Sequence, residues 1–177
     1  MAVLVFLDQQ ITGFIVNLLP RNFIFDKIFG FFSFLGASIW LWLIIIVALI
    51  IMEEKKDKYF LLYFAFSFLL TSLLVNVVLK NYFPRQRPYI KYQISQTACP
   101  NNSSFPSGHS AVAFASAYML GFFDKKRKTF YYLFAFLVAL SRIYLYCHFF
   151  FDTVFGAILG VVISWIIIKL SYRHYKT

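Results

Sequence analysis

The feature that most limits what this chain can fold into is a succession of long apolar runs separated by short polar turns. The runs cover residues 29–52, 59–79, 106–123, 130–147 and 149–170. A helix crossing a bilayer takes about 20 predominantly apolar residues. In lipid only helices and closed barrels can pair every backbone group, and unbroken apolar runs of this length favour helices over strands. The expected fold is therefore all-α, a polytopic membrane helix bundle of five to six transmembrane helices. Composition agrees: 61% of residues are hydrophobic and 14% charged, against roughly 45–50% and about 25% in soluble domains. Such a chain has too little polar surface to coat a water-soluble globule. A length of 177 residues fits one membrane-embedded domain, 1–177. Residues 1–19 carry Asp8, Gln9, Gln10 and Asn17 among apolar neighbours. They read as an interfacial helix rather than a span, and with no basic stretch ahead of the run a cleavable signal peptide is not expected.

The formal net charge of +10 invites a nucleic-acid reading, but the basic residues flank the apolar runs, as topology signals do. No nucleic-acid partner is expected. With five spans, the turns at 53–58 and 124–128 and the C-terminal tail share one side. Together with Lys169 that side holds ten of the seventeen Lys and Arg. The positive-inside rule makes it cytoplasmic, in a cell (inner) membrane. The long polar interval at 81–105 and the region around His148 then face outward together. Cys99 and Cys147 lack metal-ligand spacing; if both lie on an oxidising face, they are able to pair. Gly156 and Gly160 form a small-residue stripe suited to close helix packing.

Ionisable residues inside apolar runs are costly, and three clusters hold most of them. In Ser141-Arg142-Ile143-Tyr144-Leu145-Tyr146-Cys147-His148-Phe149-Phe150-Phe151-Asp152, a continuous helix would set His148 and Asp152 on one face. An Asp one turn from a His can fix the ring tautomer and stabilise its positive charge. Alone, the group reads equally as a buried Arg142–Asp152 pair with a satisfied histidine. The second cluster, Lys80 to Pro88, pairs a point charge, Lys80, with the planar fork of Arg87, which suits phosphate oxygens; alone it is an ordinary basic flank. Arg85 and Lys91 read as headgroup-attracting or membrane-flanking residues outside catalysis. The third, Phe105-Pro106-Ser107-Gly108-His109-Ser110, suits a helix start whose amides bind anions, with Gly108 allowing close approach and His109 able to move a proton near neutral pH. Alone it is a helix cap with a passenger histidine. On the outward side the three together offer Lys80, Arg87, Arg142, Ser107 and backbone amides to a phosphate, with two histidines beside it. No carboxylate cluster is available to hold a catalytic metal.

Lys80, six residues, then Arg87-Pro88; Pro106-Ser107-Gly108-His109; and Ser141-Arg142, five residues, His148, three residues, Asp152 closely resemble the three-part signature of the type 2 phosphatidic acid phosphatase superfamily. The resemblance runs over essentially the whole chain. It departs at Phe150-Phe151, where many relatives carry Pro-Ser. The resemblance implies a membrane lipid phosphatase needing no cofactor, with His148 as nucleophile through a phosphohistidine and Asp152 supporting its ring. It implies that His109 is the acid and then the base, and that Lys80, Arg87, Ser107, Gly108 and Arg142 bind the phosphate. The residues alone do not tell nucleophile from acid; the family pattern does. The implied partners are a membrane lipid phosphate and the bilayer. The candidates are phosphatidate, phosphatidylglycerophosphate, a polyprenyl diphosphate such as undecaprenyl diphosphate, and lipid A. A phosphotransferase remains an alternative, as does a non-enzymatic transporter or binding scaffold.

Overall fold

A computed structural model describes residues 2–37, 42, 44, 47, 60–94 and 99–173; among them every regular element is helical. Numbered in chain order, the described helices are α1 (Ala2–Leu18), α2 (Phe23–Ala37), α3 (Phe60–Tyr82), the short α4 (Pro88–Lys91), α5 (Gly108–Phe123), α6 (Lys128–Tyr144) and α7 (Phe150–Arg173). Two segments, Phe60–Tyr82 and Phe150–Ser171, are long and apolar enough to cross a membrane. Helices α1, α2, α5 and α6, of 17, 15, 16 and 17 residues, fall short of the ~20 that a full crossing ordinarily takes. Much of the expected run at 29–52, and all of the turn at 53–58, lie outside the described residues.

Helix α5 is the centre of the packing, against α7 and α6 most extensively and then α3, while α2 lies on α6. Its small residues explain this position: Ala111, Ala113, Ala115 and Ala117 are fully inaccessible, and small faces let helix backbones approach in lipid. The approach is closest at Gly156 and Gly160 of α7. A Cβ at Gly160 would collide with the Ala111 carbonyl oxygen and lie 2.9 Å from Ala115 N, and one at Gly156 would collide with the Ser107 carbonyl oxygen. The stripe read from the sequence as packing is packing. Ser164 Oγ joins the same seam through Ser67 Oγ at 2.7 Å and the Ala115 carbonyl at 3.2 Å. Large apolar side chains stand on the outside instead, among them Leu62, Phe66 and Leu69 on α3 and Phe155, Ile158 and Trp165 on α7, as a lipid-facing surface requires. One buried cluster centres on Trp42, Phe60, Met119, Tyr131 and Val138, and a second on Phe29, Tyr144, Leu145 and the Cys99–Cys147 disulfide. The second cluster borders the charged residues.

Candidate active site

The stretch 141–152 is not one helix. Helix α6 ends in a Schellman motif: Cys147 N donates to the Arg142 carbonyl at 3.0 Å and Tyr146 N to the Ile143 carbonyl at 2.9 Å. Tyr146 holds the left-handed position with φ 54°, where glycine is usual. His148 therefore lies in the turn between α6 and α7, and Asp152 in the first turn of α7. The break is stabilised from the far side, because three successive amides at the start of α7 find side-chain acceptors. Phe149 N donates to Asp152 Oδ2 at 2.9 Å, Phe150 N to Thr12 Oγ1 at 2.9 Å and Phe151 N to Asp8 Oδ1 at 2.8 Å. Asp152 thus supplies one half of a capping box, and α1 supplies the other acceptors. His148 and Asp152 are still brought together, by a turn rather than a helix face, with Nδ1 3.7 Å from Asp152 Oδ2. That exceeds a hydrogen bond.

At the start of α5, Ser107 is the N-cap; its hydroxyl accepts from Ser110 N at 3.4 Å, and its own N–H donates to the Asp152 carbonyl at 2.9 Å. The preceding Phe105–Pro106 bond is cis. A Cβ at Gly108 would collide with Asn76 Oδ1, so this glycine lets α3 approach the helix start. Lys80 sits near the end of α3, beyond a π-helical turn at Leu74–Leu79, and reaches Asn102 Oδ1 at 3.4 Å. Arg87 is fully buried. It donates to Asn102 (carbonyl 2.8 Å, Oδ1 2.6 Å), to the Ser103 carbonyl at 3.1 Å and to the Cys147 carbonyl at 2.8 Å. The same guanidinium lies 3.1 Å from His148 Nε2. Arg142 donates through Nη1 to the Ser33 hydroxyl, while its Nε and Nη2 are buried with no hydrogen-bond partner. Unpaired guanidinium donors in a buried site are what an incoming anion would satisfy.

A pocket of about 260 Å³ is lined by Lys80, Gly108, His109 and His148, together with Ser72, Asn76 and Asn102. Arg87, Ser107, Arg142 and Asp152 are buried around it. Every residue singled out in the three clusters thus belongs to one region. Burial, and then the charges of Arg87, Arg142 and Lys80, hold the His148 imidazolium well below the ordinary histidine range, against a smaller opposing pull from the Ser104 carbonyl. The ring is neutral at pH 7, with Nε2 beside Arg87. Burial lowers Arg87 to about 10, so it stays charged. Among the described residues no three of His, Cys, Asp and Glu converge as metal ligands.

Several partners were not legible as such. Arg85 is not a membrane flank: it pairs with Asp152 Oδ1 at 2.5 Å and Asp8 Oδ2 at 2.6 Å. Ser104 donates its hydroxyl to Asp152 Oδ2. Ser72 and Asn76 join Lys80 on the pocket wall; their spacing at four-residue steps in an apolar run was the available signal.

A family model described as the PAP2 superfamily matches residues 60–176. The chain is 28% identical to a lipid A 4'-phosphatase of Francisella tularensis subsp. novicida (strain U112), covering 94% of this chain and 87% of that protein. It is similar to the crystal structure of LpxE from Aquifex aeolicus, with TM-score 0.73 and 30% identity over 92% of this chain and 95% of that one. It is also similar to a transmembrane PAP2-type phosphatidylglycerolphosphate phosphatase from Bacillus subtilis, with TM-score 0.76 and 27% identity over 98% of this chain and 88% of that one. Two other curated relatives are matched over only 63% and 51% of their own lengths.

Proposed function

Since the chain belongs to the PAP2 superfamily, with lipid phosphatases among its relatives, we propose that it is a single-domain, cofactor-independent membrane phosphatase. It removes the terminal phosphate of a lipid at the outer face of the membrane. The observation that carries this reading is the buried His148, whose Nε2 sits 3.1 Å from Arg87 in a pocket shared with His109 and Lys80, beside the unpaired donors of Arg142. Phosphate oxygens occupy the sites offered by Lys80, Arg87, Arg142, Ser107 and the Gly108 amide, which neutralise charge and align phosphorus with Nε2. The Nε2 lone pair forms the N–P bond as the P–O bond to the lipid breaks, and His109 gives its proton to the departing oxygen. The phosphorylated ring is cationic, and Asp152 supports it. Water then attacks phosphorus, its proton passes to His109, and the N–P bond breaks to release phosphate and restore neutral His148.

The five apolar runs read from the sequence would form the spans, with α1 along the interface. The outward orientation draws support from the Cys99–Cys147 disulfide, one residue from His148, because such bonds persist in oxidising compartments. The pocket wall also bears on the substrate. Ser72 and Asn76 add neutral hydrogen-bonding groups beside Lys80. Neutral hydrogen-bonding groups there suit a leaving group that carries a hydroxyl, as that of phosphatidylglycerophosphate does.

The test is phosphate release in detergent, with chelator present, from phosphatidate, phosphatidylglycerophosphate, undecaprenyl diphosphate and lipid A, each against His148→Ala. Release from one lipid that vanishes in the variant supports the reading. Release that survives the substitution removes His148 as nucleophile. No release from any lipid by folded protein leaves a phosphotransferase or a binding scaffold.

A further inference from the structure

Beside the pocket, Asp152 stands in a line of three charged side chains whose other two members lie outside the signature. Asp8 of α1 is 1% exposed and Asp152 is inaccessible. Arg85 bridges them, with Nη1 2.5 Å from Asp152 Oδ1 and Nη2 2.6 Å from Asp8 Oδ2, and its guanidinium lies 4.3 Å from the centre of the Phe149 ring. The second oxygen of Asp152 accepts from Ser104 and from Phe149 N. Every strong donor on Asp152 is thus something other than His148, which stands 3.7 Å away.

The charges decide what this arrangement can do. Arg85 alone beside Asp152 would make a neutral pair, with little field left to support a cationic phosphohistidine. Asp8 is the second carboxylate. With it the chain of three carries one net negative charge, held out of water where charge acts strongly. We infer that Asp8, through Arg85, is a positioning residue for the His148 step: it offsets the guanidinium, so that Asp152 faces the imidazole as a net anion. Its other oxygen takes the Phe151 amide at 2.8 Å, which fixes the start of the helix that carries Asp152. Neither Asp8 nor Arg85 lines the pocket that holds His109 and His148; both border the adjacent apolar groove formed with Phe83, Phe105, Phe151 and Phe155, so separate kcat and KM values are needed to place the effect on the chemical step. The inference rests on His148 being the nucleophile, as proposed above.

The experiment measures kcat and KM of the full chain in detergent micelles with whichever of the four lipids above the wild type hydrolyses fastest. It compares wild type, Asp8→Asn, Asp8→Asn/Arg85→Gln, Thr12→Val and His148→Ala. Asn keeps an acceptor for the Phe151 amide, and removes the charge together with the acceptor for Arg85; the double variant separates the two losses. Asp8→Asn should lower kcat about tenfold to a hundredfold with KM within about twofold. Removing Arg85 as well restores a net anion at Asp152, so the double variant should be at least about tenfold faster than Asp8→Asn. Thr12→Val removes the other cap that α1 gives to α7 and leaves the charges alone; it should lower the unfolding temperature with less than about a threefold loss of kcat. The inference is overturned if Asp8→Asn turns over like wild type, if the double variant is no faster than Asp8→Asn, or if Thr12→Val loses as much kcat as Asp8→Asn. Should Asp8→Asn fail to fold, the double variant carries the test: about a tenth of wild-type kcat or more supports the inference, and less than about a hundredth overturns it. A wild type that turns over none of the four lipids sinks the phosphatase reading itself, and a His148→Ala variant as fast as wild type removes His148 as nucleophile; either takes this inference with it.

Discussion

Breaking the Cys99–Cys147 disulfide should destabilise the protein by an amount that the helix lengths bound. The two cysteines are 48 residues apart; a fully flexible loop of that size would lose roughly 4 kcal/mol of closure entropy. The loop is not fully flexible. It contains α5 and α6, of 16 and 17 residues, and helices in lipid or detergent keep their backbone bonds when tertiary packing is lost. Subtracting them leaves about 15 flexible residues, for which the same relation gives about 3 kcal/mol. The expected cost is therefore roughly 3–4 kcal/mol, a large part of a total stability of about 5–15 kcal/mol. At about 2–4 °C per kcal/mol for a chain of this size, the unfolding midpoint should fall by roughly 6–16 °C. The bond also ties Cys147, beside His148, to the loop whose Asn102 and Ser103 hold Arg87 and whose Ser104 holds Asp152, so turnover should fall before unfolding begins. The assay is thermal unfolding and phosphate release in detergent, with and without reductant, for wild type and Cys99→Ser/Cys147→Ser. Two alkylatable thiols in unreduced protein, or a midpoint that ignores both reductant and substitution, would refute the reasoning.

Replacing His109 with Gln should lower kcat by about 10²–10⁴ with KM near wild type, as expected for loss of a proton donor outside the nucleophile; an unchanged kcat in steady-state assays would remove it from the chemistry. Gly160→Ala, which sets a methyl against the backbone of Ala111 and Ala115, should cost about 1–3 kcal/mol or more in thermal unfolding. Gly108→Ala should cost less, because its neighbour is the movable side chain of Asn76. Burial and three nearby cations keep His148 neutral in the fold, so an unfolded chain takes up a proton there that the native state refuses. Stability should be intact above about pH 6.5 and fall as pH drops below it, by up to about 1.4 kcal/mol per unit for this group. kcat/KM should hold its plateau to a lower pH than an ordinary histidine would allow; a midpoint near pH 6.5 in the rate profile would contradict this. Asn76→Leu should reduce kcat/KM for phosphatidylglycerophosphate by about tenfold or more and change undecaprenyl diphosphate little; equal losses on both lipids would disprove the substrate assignment.

The candidate site was legible because its members are ionisable groups in apolar surroundings, where each is conspicuous. Lys80, Arg87, His109, Arg142, His148 and Asp152 stand out for that reason, and the structure gathers them around one pocket. The helical bundle was legible from run length, although only α3 and α7 among the described helices carry the full length of a crossing. Two things were hidden. The break after Tyr144 has no Gly or Pro to announce it, because its stability comes from groups distant in sequence: Asp8 and Thr12 of α1 accept the amides of Phe151 and Phe150. The partner of Asp152 was hidden by spacing, since Arg85 is 67 residues away. Asp8 was visible as an acid in an apolar helix, but without its partner it marked only a polar edge, and α1 read as a helix lying on the interface.

The turn that carries His148 shows why that distant support matters. A tyrosine at φ 54° occupies the left-handed region at a cost of about 1–2 kcal/mol, and a catalytic histidine on a frayed turn would lose its alignment. Four restraints oppose the fraying: the Arg142 carbonyl, which accepts from both Cys147 and His148, the disulfide at Cys147, the Asp152 cap on Phe149, and the α1 acceptors on the next two amides. Each acts within two residues of His148 or on the first turn of α7, and three of the four originate outside α6. A histidine in the middle of a helix would have needed none of them, but it would have been fixed to one helix face with its Nδ1 edge shared with that helix. Ending α6 one turn early releases the imidazole, so that one nitrogen meets Arg87 at the pocket and the other faces the Asp152 chain. Helix α1 is thus tied to the candidate site by two contacts of different kind: Asp8 sets the charge beside Asp152 through Arg85, while Thr12 caps the start of α7 and acts on its stability.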